Sequence, residues 1–148
     1  MSVRFVLCLA VVAVALSGVV TLTPEEESSI RGHLREFVNE CSKEYGISEE
    51  QLKTAKENKN VDGIEPCAIG CVYKKAKFIN DQGLYDVDKA KEISAKYVNS
   101  EDDRKKFAEI ADDCSAVNDE SVSDGDKGCE RAKLLLSCMF KHKDAIQV

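Results

Sequence analysis

The sequence has no tryptophan, two prolines, two histidines and no cysteines at C-x-x-C spacing. Each shortage removes a class of protein. Zinc sites use C-x-x-C pairs or histidines at ligand spacing, whereas His33 and His142 stand alone, so no metal is expected. No G-x-S-x-G or other nucleophile constellation occurs, and nothing singles out a catalytic pair among the 27 acidic residues. The chain therefore reads as a non-enzyme with no catalytic residues and no cofactor. No basic run is present, which makes nucleic acid and anionic membrane surfaces poor partners. Strand-like alternation, internal repeats and low-complexity tracts are missing too, and helix is left as the organising element.

What is present begins with one long apolar run. Arg4 supplies a short positive start, Phe5 to Leu16 is twelve apolar residues, and Ala13, Ala15, Ser17 and Gly18 offer small residues for cleavage. Residues 1–18 read as a secretory signal peptide, with the cleaved bond between residues 15 and 18. The run is too short for a membrane span of about 20 residues, and Ser17-Gly18 interrupts its extension toward Leu22. The expected product is an extracellular protein of residues 19–148 with no membrane insertion after cleavage. It holds 20 basic residues against 27 acidic, a net charge of −7. About 130 residues make one domain.

Helix signals recur along that domain. Thr23-Pro24-Glu25-Glu26 combines an N-cap, a proline at the first helical position and a capping box; Ile30, Leu34, Phe37, Val38, Cys41 and Tyr45 follow at three- and four-residue steps, and Gly46 suits a left-handed end. Ser48 to Gln51 is a second capping box, opening a short helix to about Glu57 anchored by Ile47 and Leu52. A third helix is predicted over 66–80. Asp86 caps a fourth carrying Val87, Ala90, Ile93, Tyr97 and Val98, and Ser100 caps a fifth with Phe107, Ile110, Ala111 and Cys114 inward. Residues 115–128 are the longest polar interval, and a last, broadly apolar helix is predicted from Asp126 to about His142.

Cysteines organise these six helices. Loss of the signal removes Cys8 and leaves six, at 41, 67, 71, 114, 129 and 138, an even number in an oxidising compartment. Cys67 and Cys71 lie one turn apart on the third helix, so each more naturally reaches a different partner than the other. Six cysteines allow fifteen pairings, and spacing does not choose among them.

The intervals between them, 25, 3, 42, 14 and 8 residues, behind a signal peptide in an acidic helical chain, resemble the insect odorant-binding family of pheromone-binding and general odorant-binding proteins. The resemblance covers the whole mature chain; only the 14-residue interval is long for it. It implies the interlocked pairing Cys41–Cys71, Cys67–Cys129 and Cys114–Cys138, and a compact all-α, six-helix domain cross-linked around an apolar cavity. The implied function is a secreted carrier that solubilises an odorant, pheromone or fatty acid and delivers it through aqueous fluid. A weak homodimer is compatible with it.

Such a cavity would be lined by Leu34, Phe37, Val38, Leu52, Ile69, Val72, Tyr73, Ile93, Tyr97, Phe107, Ile110, Leu135, Met139 and Phe140. Apolar helical stripes exist first to pack, so the pocket is a property of the set and not of any member. A ligand of about twenty non-hydrogen atoms would bind near micromolar strength. A fatty acid would place its carboxylate at the mouth, where Arg131, Lys74, Lys141 or His142 are the cations to meet it, and Ile146 and Val148 could fold over the opening as a lid.

Competing classes fit less well. Secreted phospholipases need a His-Asp pair and a glycine-rich calcium loop, but His33 is followed by Leu34 and no such loop exists. Read as a calcium hand, Glu120 to Arg131 puts Val122 and Arg131 where ligand oxygens belong. Plant lipid-transfer proteins and saposins have adjacent or C-x-C cysteines, absent here. The alternative that stays open is a secreted, disulfide-rich helical protein-interaction module without a small-molecule ligand.

Overall fold

The computed structural model describes residues 20–58, 60–142 and 145–147. The expected signal peptide, residues 1–18, and Val148 lie outside them. Six α-helices order the chain: α1 (Pro24–Tyr45), α2 (Glu49–Asn58), α3 (Pro66–Lys75), α4 (Val87–Tyr97), α5 (Glu101–Cys114) and α6 (Cys129–Lys141). Two short strands, β1 (Val20–Thr21) and β2 (Ile146–Gln147), pair in parallel and bring the two ends of the described chain together. The fold is all-α, as the sequence implies.

Local chemistry explains most boundaries. The Thr23 hydroxyl accepts from the Glu26 N–H at 3.2 Å and the Glu26 carboxylate accepts from the Thr23 N–H at 2.9 Å, a reciprocal capping box. Gly46 (φ 66°) closes α1 in the left-handed conformation. Ser48 and Gln51 form the second capping box, while Asp86 and Ser100 cap α4 and α5.

Two boundaries differ from expectation. α3 stops at Lys75 rather than Asn80, because the chain closes on itself there. The Phe78 N–H donates to the Tyr73 carbonyl at 2.8 Å and the Lys77 N–H to the Lys74 carbonyl at 3.1 Å, a Schellman motif with Lys77 (φ 68°) in the left-handed position. Phe78 then meets Tyr73 edge-on, centroids 5.8 Å apart, supplying the apolar contact such motifs carry. α6 begins at Cys129 rather than Asp126. Gly125–Lys127 forms a short 3₁₀ turn, and the Asp124 carboxylate accepts from the N–H groups of Cys129 (2.7 Å) and Glu130 (3.1 Å), capping α6 from outside its own sequence. The polar interval also contains a 3₁₀ helix, Ser115–Asp119, that buries Val117. Tyr45, placed by sequence on the buried stripe of α1, is 38% exposed at the helix end.

Three disulfides cross-link the helices. Cys41–Cys71 joins α1 to α3, Cys67–Cys129 joins α3 to α6, and Cys114–Cys138 joins α5 to α6. The chain paths interlock. At the second bridge the Cα atoms are 4.4 Å apart, and Gly70, one turn along α3, permits that approach: a Cβ there would stand 3.3 Å from the Cys129 Cα. α3 and α6 are the most extensively packed helix pair. Gly83 (φ 77°) is still tighter, since a Cβ would fall 2.3 Å from the Gly125 carbonyl oxygen. The core beneath is built from Val61, Ile64, Ala68, Ile69, Ile79, Tyr85, Ile110, Ala132 and Leu135.

Glu26 is buried and ties the start of α1 to the α4–α5 link: its second oxygen accepts from the Asn99 N–H at 2.7 Å. That bond first, and the one from Thr23 next, hold its carboxyl below the usual 4.5. A depressed native pKa means the unfolded chain takes up the proton first. The stability Glu26 supplies is therefore complete above pH 4.5 and is lost as pH falls below that value through the native pKa. Glu26→Gln is expected to lower the melting temperature at pH 7 and to flatten the acid limb of a stability–pH profile. A variant profile running parallel to wild type would contradict this role.

Candidate functional site

Where α1, α4, α5 and α6 meet the turn after α3, the core does not close. A cavity of about 230 Å³ remains. Its wall takes Ile30, His33 and Leu34 from α1, and Tyr73, Phe78 and Tyr85 from the end of α3 and the turn beyond it. α4 and its C-cap contribute Ala90, Ile93, Ser94, Tyr97 and Val98; α5 gives Phe107, Ile110 and Ala111; α6 gives Leu135 and Met139. Tyr85, Ala90, Val98, Ile110, Ala111 and Leu135 are buried, whereas the other wall residues are half-exposed.

Of the fourteen residues expected in the lining, Leu34, Tyr73, Ile93, Tyr97, Phe107, Ile110, Leu135 and Met139 lie in this wall. Six do not. Ile69 is buried in the core one turn before Tyr73, and Leu52 and Phe140 pack against the same core; none of the three lines the hollow. Phe37, Val38 and Val72 are half-buried outside it; Phe37 lies edge-on to His33 at 5.6 Å. Each helix turns about 100° per residue, so an apolar stripe wider than the cavity presents only part of its width to it. Sequence reasoning missed Ile30, His33, Phe78, Tyr85, Ala90, Ser94, Val98 and Ala111 as lining. Ile30 stands four residues before Leu34, and Ala90, Val98 and Ala111 lie on stripes already recognised as inward, so the signal existed for those four. Phe78 and Tyr85 flank a turn, where no helical period reports them.

The polar groups of the wall are few. The Ser94 hydroxyl donates within its own helix to the Lys91 carbonyl at 3.0 Å. The Tyr85 hydroxyl is buried with no partner among the described residues. Burial raises the Tyr73 phenol above its ordinary range and pushes Tyr85 up to about 12, with the Asp112 and Asp86 carboxylates adding to the latter. Both phenols are neutral at every physiological pH.

The cations expected to meet a carboxylate are engaged elsewhere. Arg131 is buried, and its guanidinium donates to the carbonyls of Gly83, Val117 and Glu120, pinning the polar interval to α6. Lys74 donates to the Asp126 carbonyl at 2.9 Å, and His142 lies 2.7 Å from the Asp113 carboxylate. Lys141 is exposed at the end of α6. None of the four lines the cavity. Ile146 is held in the strand beside Val20–Thr21, and Val148 is outside the described residues.

Two other features are weaker sites. A larger hollow of about 410 Å³ runs along α2, but its lining of Ser48, Glu50, Gln51, Thr54, Asn58 and Asn60 is mostly exposed and polar. Cys114, Cys138 and His142 place ligand-type atoms within 4.8 Å of one another, yet the two sulfurs are bonded to each other.

Fold and site together define a disulfide-caged helical protein with an apolar chamber among its described residues. The chain belongs to the PBP/GOBP family, whose model matches residues 24–142 and so spans all six helices and all six paired cysteines. That family comprises insect odorant- and pheromone-binding proteins, soluble secreted carriers of small hydrophobic molecules rather than enzymes. Neither the curated proteins nor the solved structures contain a significant match. Among the described residues no helix is long and apolar enough to cross a membrane.

Proposed function

We propose that the chain is exported with residues 1–18 removed and that residues 19–148 carry one small apolar guest in the chamber between α1, α4, α5 and α6. The supporting observation is the chamber itself. At roughly 24 cal/mol per Å³, a hollow of about 230 Å³ forgoes about 5.5 kcal/mol of packing, a large share of a small domain's stability. Burial of Val20 in the described fold is consistent with cleavage upstream of it.

The volume suits a guest on the order of ten non-hydrogen atoms, smaller than the twenty the sequence suggests. At about 0.5 to 0.8 kcal/mol per atom, affinity falls between roughly 1 and 200 µM. Such a guest is held by shape and burial and released readily. Native mass spectrometry of protein secreted from insect cells is expected to show a fraction carrying a co-purified hydrophobe of that mass class. Uniform apo mass, with no saturable uptake of a fluorescent hydrophobe, would favour the protein-interaction module instead.

A further inference from the structure

Chain spacing hides one cluster, because its members come from two helices. Cys138 and His142 stand four residues apart, about one turn, at the end of α6 and its cap, and Cys114 closes α5 beside them. The fold brings both sulfurs and a ring nitrogen of His142 within 4.8 Å of one another. Cys114 is fully buried, Cys138 is half-buried, and the His142 side chain is 26% exposed. The backbone of His142 is held from both directions: its N–H donates to the Met139 carbonyl at 3.1 Å, and its carbonyl accepts from the Ala145 N–H at 2.9 Å. Its ring is aimed by a carboxylate, with Nε2 2.7 Å from Asp113 Oδ2. Histidines that bind metals nearly always carry such a partner on one ring nitrogen, which fixes the ring and makes the other nitrogen a better donor.

The two sulfurs are bonded to each other, so the donor set is masked. Opening that bond yields two thiolates and an imidazole, the Cys2His set that takes zinc tetrahedrally with a fourth position open. Tetrahedral zinc holds its sulfurs about 3.8 Å apart and each about 3.5 Å from the nitrogen, and both separations fall inside the span the fold already sets. Among the described residues, neither Cys41–Cys71 nor Cys67–Cys129 belongs to such a cluster. Cys114–Cys138 also spans the fewest residues, 24 against 30 and 62, so its opening frees the least chain.

We propose that Cys114–Cys138 is a redox-masked site for a thiophilic divalent cation, zinc, with Cys114, Cys138 and His142 as ligands and Asp113 as the positioning residue. Unmasking takes two equivalents of a thiol reductant such as glutathione. The first thiolate attacks the half-buried Cys138 sulfur, the S–S bond breaks, and Cys114 leaves as a thiolate. The second attacks the glutathione sulfur of that mixed disulfide, releasing the Cys138 thiolate and oxidised glutathione. Two electrons pass to the protein, and zinc takes the place of the two thiol protons. The metal then joins α5 to α6 where the disulfide had. Those helices supply Phe107, Ile110, Ala111, Leu135 and Met139 to the chamber wall, so the wall keeps its clamp under reducing conditions.

The other two bridges are internal controls for the test. The full secreted chain is equilibrated in glutathione redox buffers with and without micromolar Zn2+, its thiols are trapped by alkylation, and each bridge is quantified by peptide mapping. Zinc is expected to raise the reduced-to-oxidised ratio of Cys114–Cys138 about tenfold or more, with the ratios of Cys41–Cys71 and Cys67–Cys129 unchanged. His142→Ala should cut that gain about tenfold and Asp113→Asn should cut it several-fold, each gain being measured within its own variant and so independent of any change in folding. Cobalt in place of zinc should give the visible bands of a tetrahedral thiolate site in wild type and weaker ones in His142→Ala. No gain with zinc, an equal gain at all three bridges, or a gain that His142→Ala leaves intact would overturn the proposal.

Discussion

Replacing Cys67 and Cys129 together by alanine is expected to lower the melting temperature by about 15 °C and to abolish retention of a bound hydrophobe. The bridge closes a separation of 62 residues, and chain-entropy arguments give about 4 kcal/mol for a loop of that length. For a domain of this size each kcal/mol moves the midpoint by roughly 3 to 5 °C. The other two bridges span 30 and 24 residues and are expected to cost somewhat less. The functional loss follows from position. Cys67–Cys129 clamps α3 to α6, and the chamber takes Tyr73 from one and Leu135 and Met139 from the other. Differential scanning calorimetry with a binding titration checks both effects, and a variant that melts within a few degrees of wild type would remove the cage from the account.

Ala111→Phe is the second large effect, and it separates the chamber from the core. Ala111 is a buried wall residue of α5, so a phenyl group there projects into the space a guest would use. Affinity for any hydrophobe is expected to fall at least a hundredfold. The melting temperature is expected to stay within about 5 °C, because added contacts in the hollow offset the 1 to 3 kcal/mol that overpacking usually costs. Leu52→Ala is the converse. It thins the packing beneath α2 outside the chamber, so stability should drop with affinity nearly unchanged. Equal loss of affinity in both variants would mean that binding merely reports folding.

Legibility of the sequence followed the physical origin of each feature. Caps written in one short stretch, such as Thr23 with Glu26 or Ser48 with Gln51, are visible because their partners are three residues apart. The end of α3 is not, because Lys77 adopts a left-handed conformation without being glycine or asparagine, and the returning Phe78 ring is what makes it worthwhile. The start of α6 is hidden for a related reason: its cap is the Asp124 side chain, five residues away across a 3₁₀ turn. The apolar faces of α4 and α5 were readable from period alone, yet periodicity cannot say where packing stops and a hollow starts. That boundary is set by how four helices diverge, which is why Ile69 and Leu52 looked equivalent to Ile110 and Leu135. Arg131 shows the same limit for charge. The sequence offered it as a cation at the cavity mouth, and only the fold reveals three backbone carbonyls converging on it.

The most direct test of the central claim is methyl NMR of the secreted protein titrated with a medium-chain ketone. Saturable shifts at Ile93, Ile110, Leu135 and Met139, with Leu52, Ile69 and Val72 unmoved, are the predicted result. Shifts centred on Leu52, Ile69 and Val72, or no saturable shift at any methyl, would contradict it.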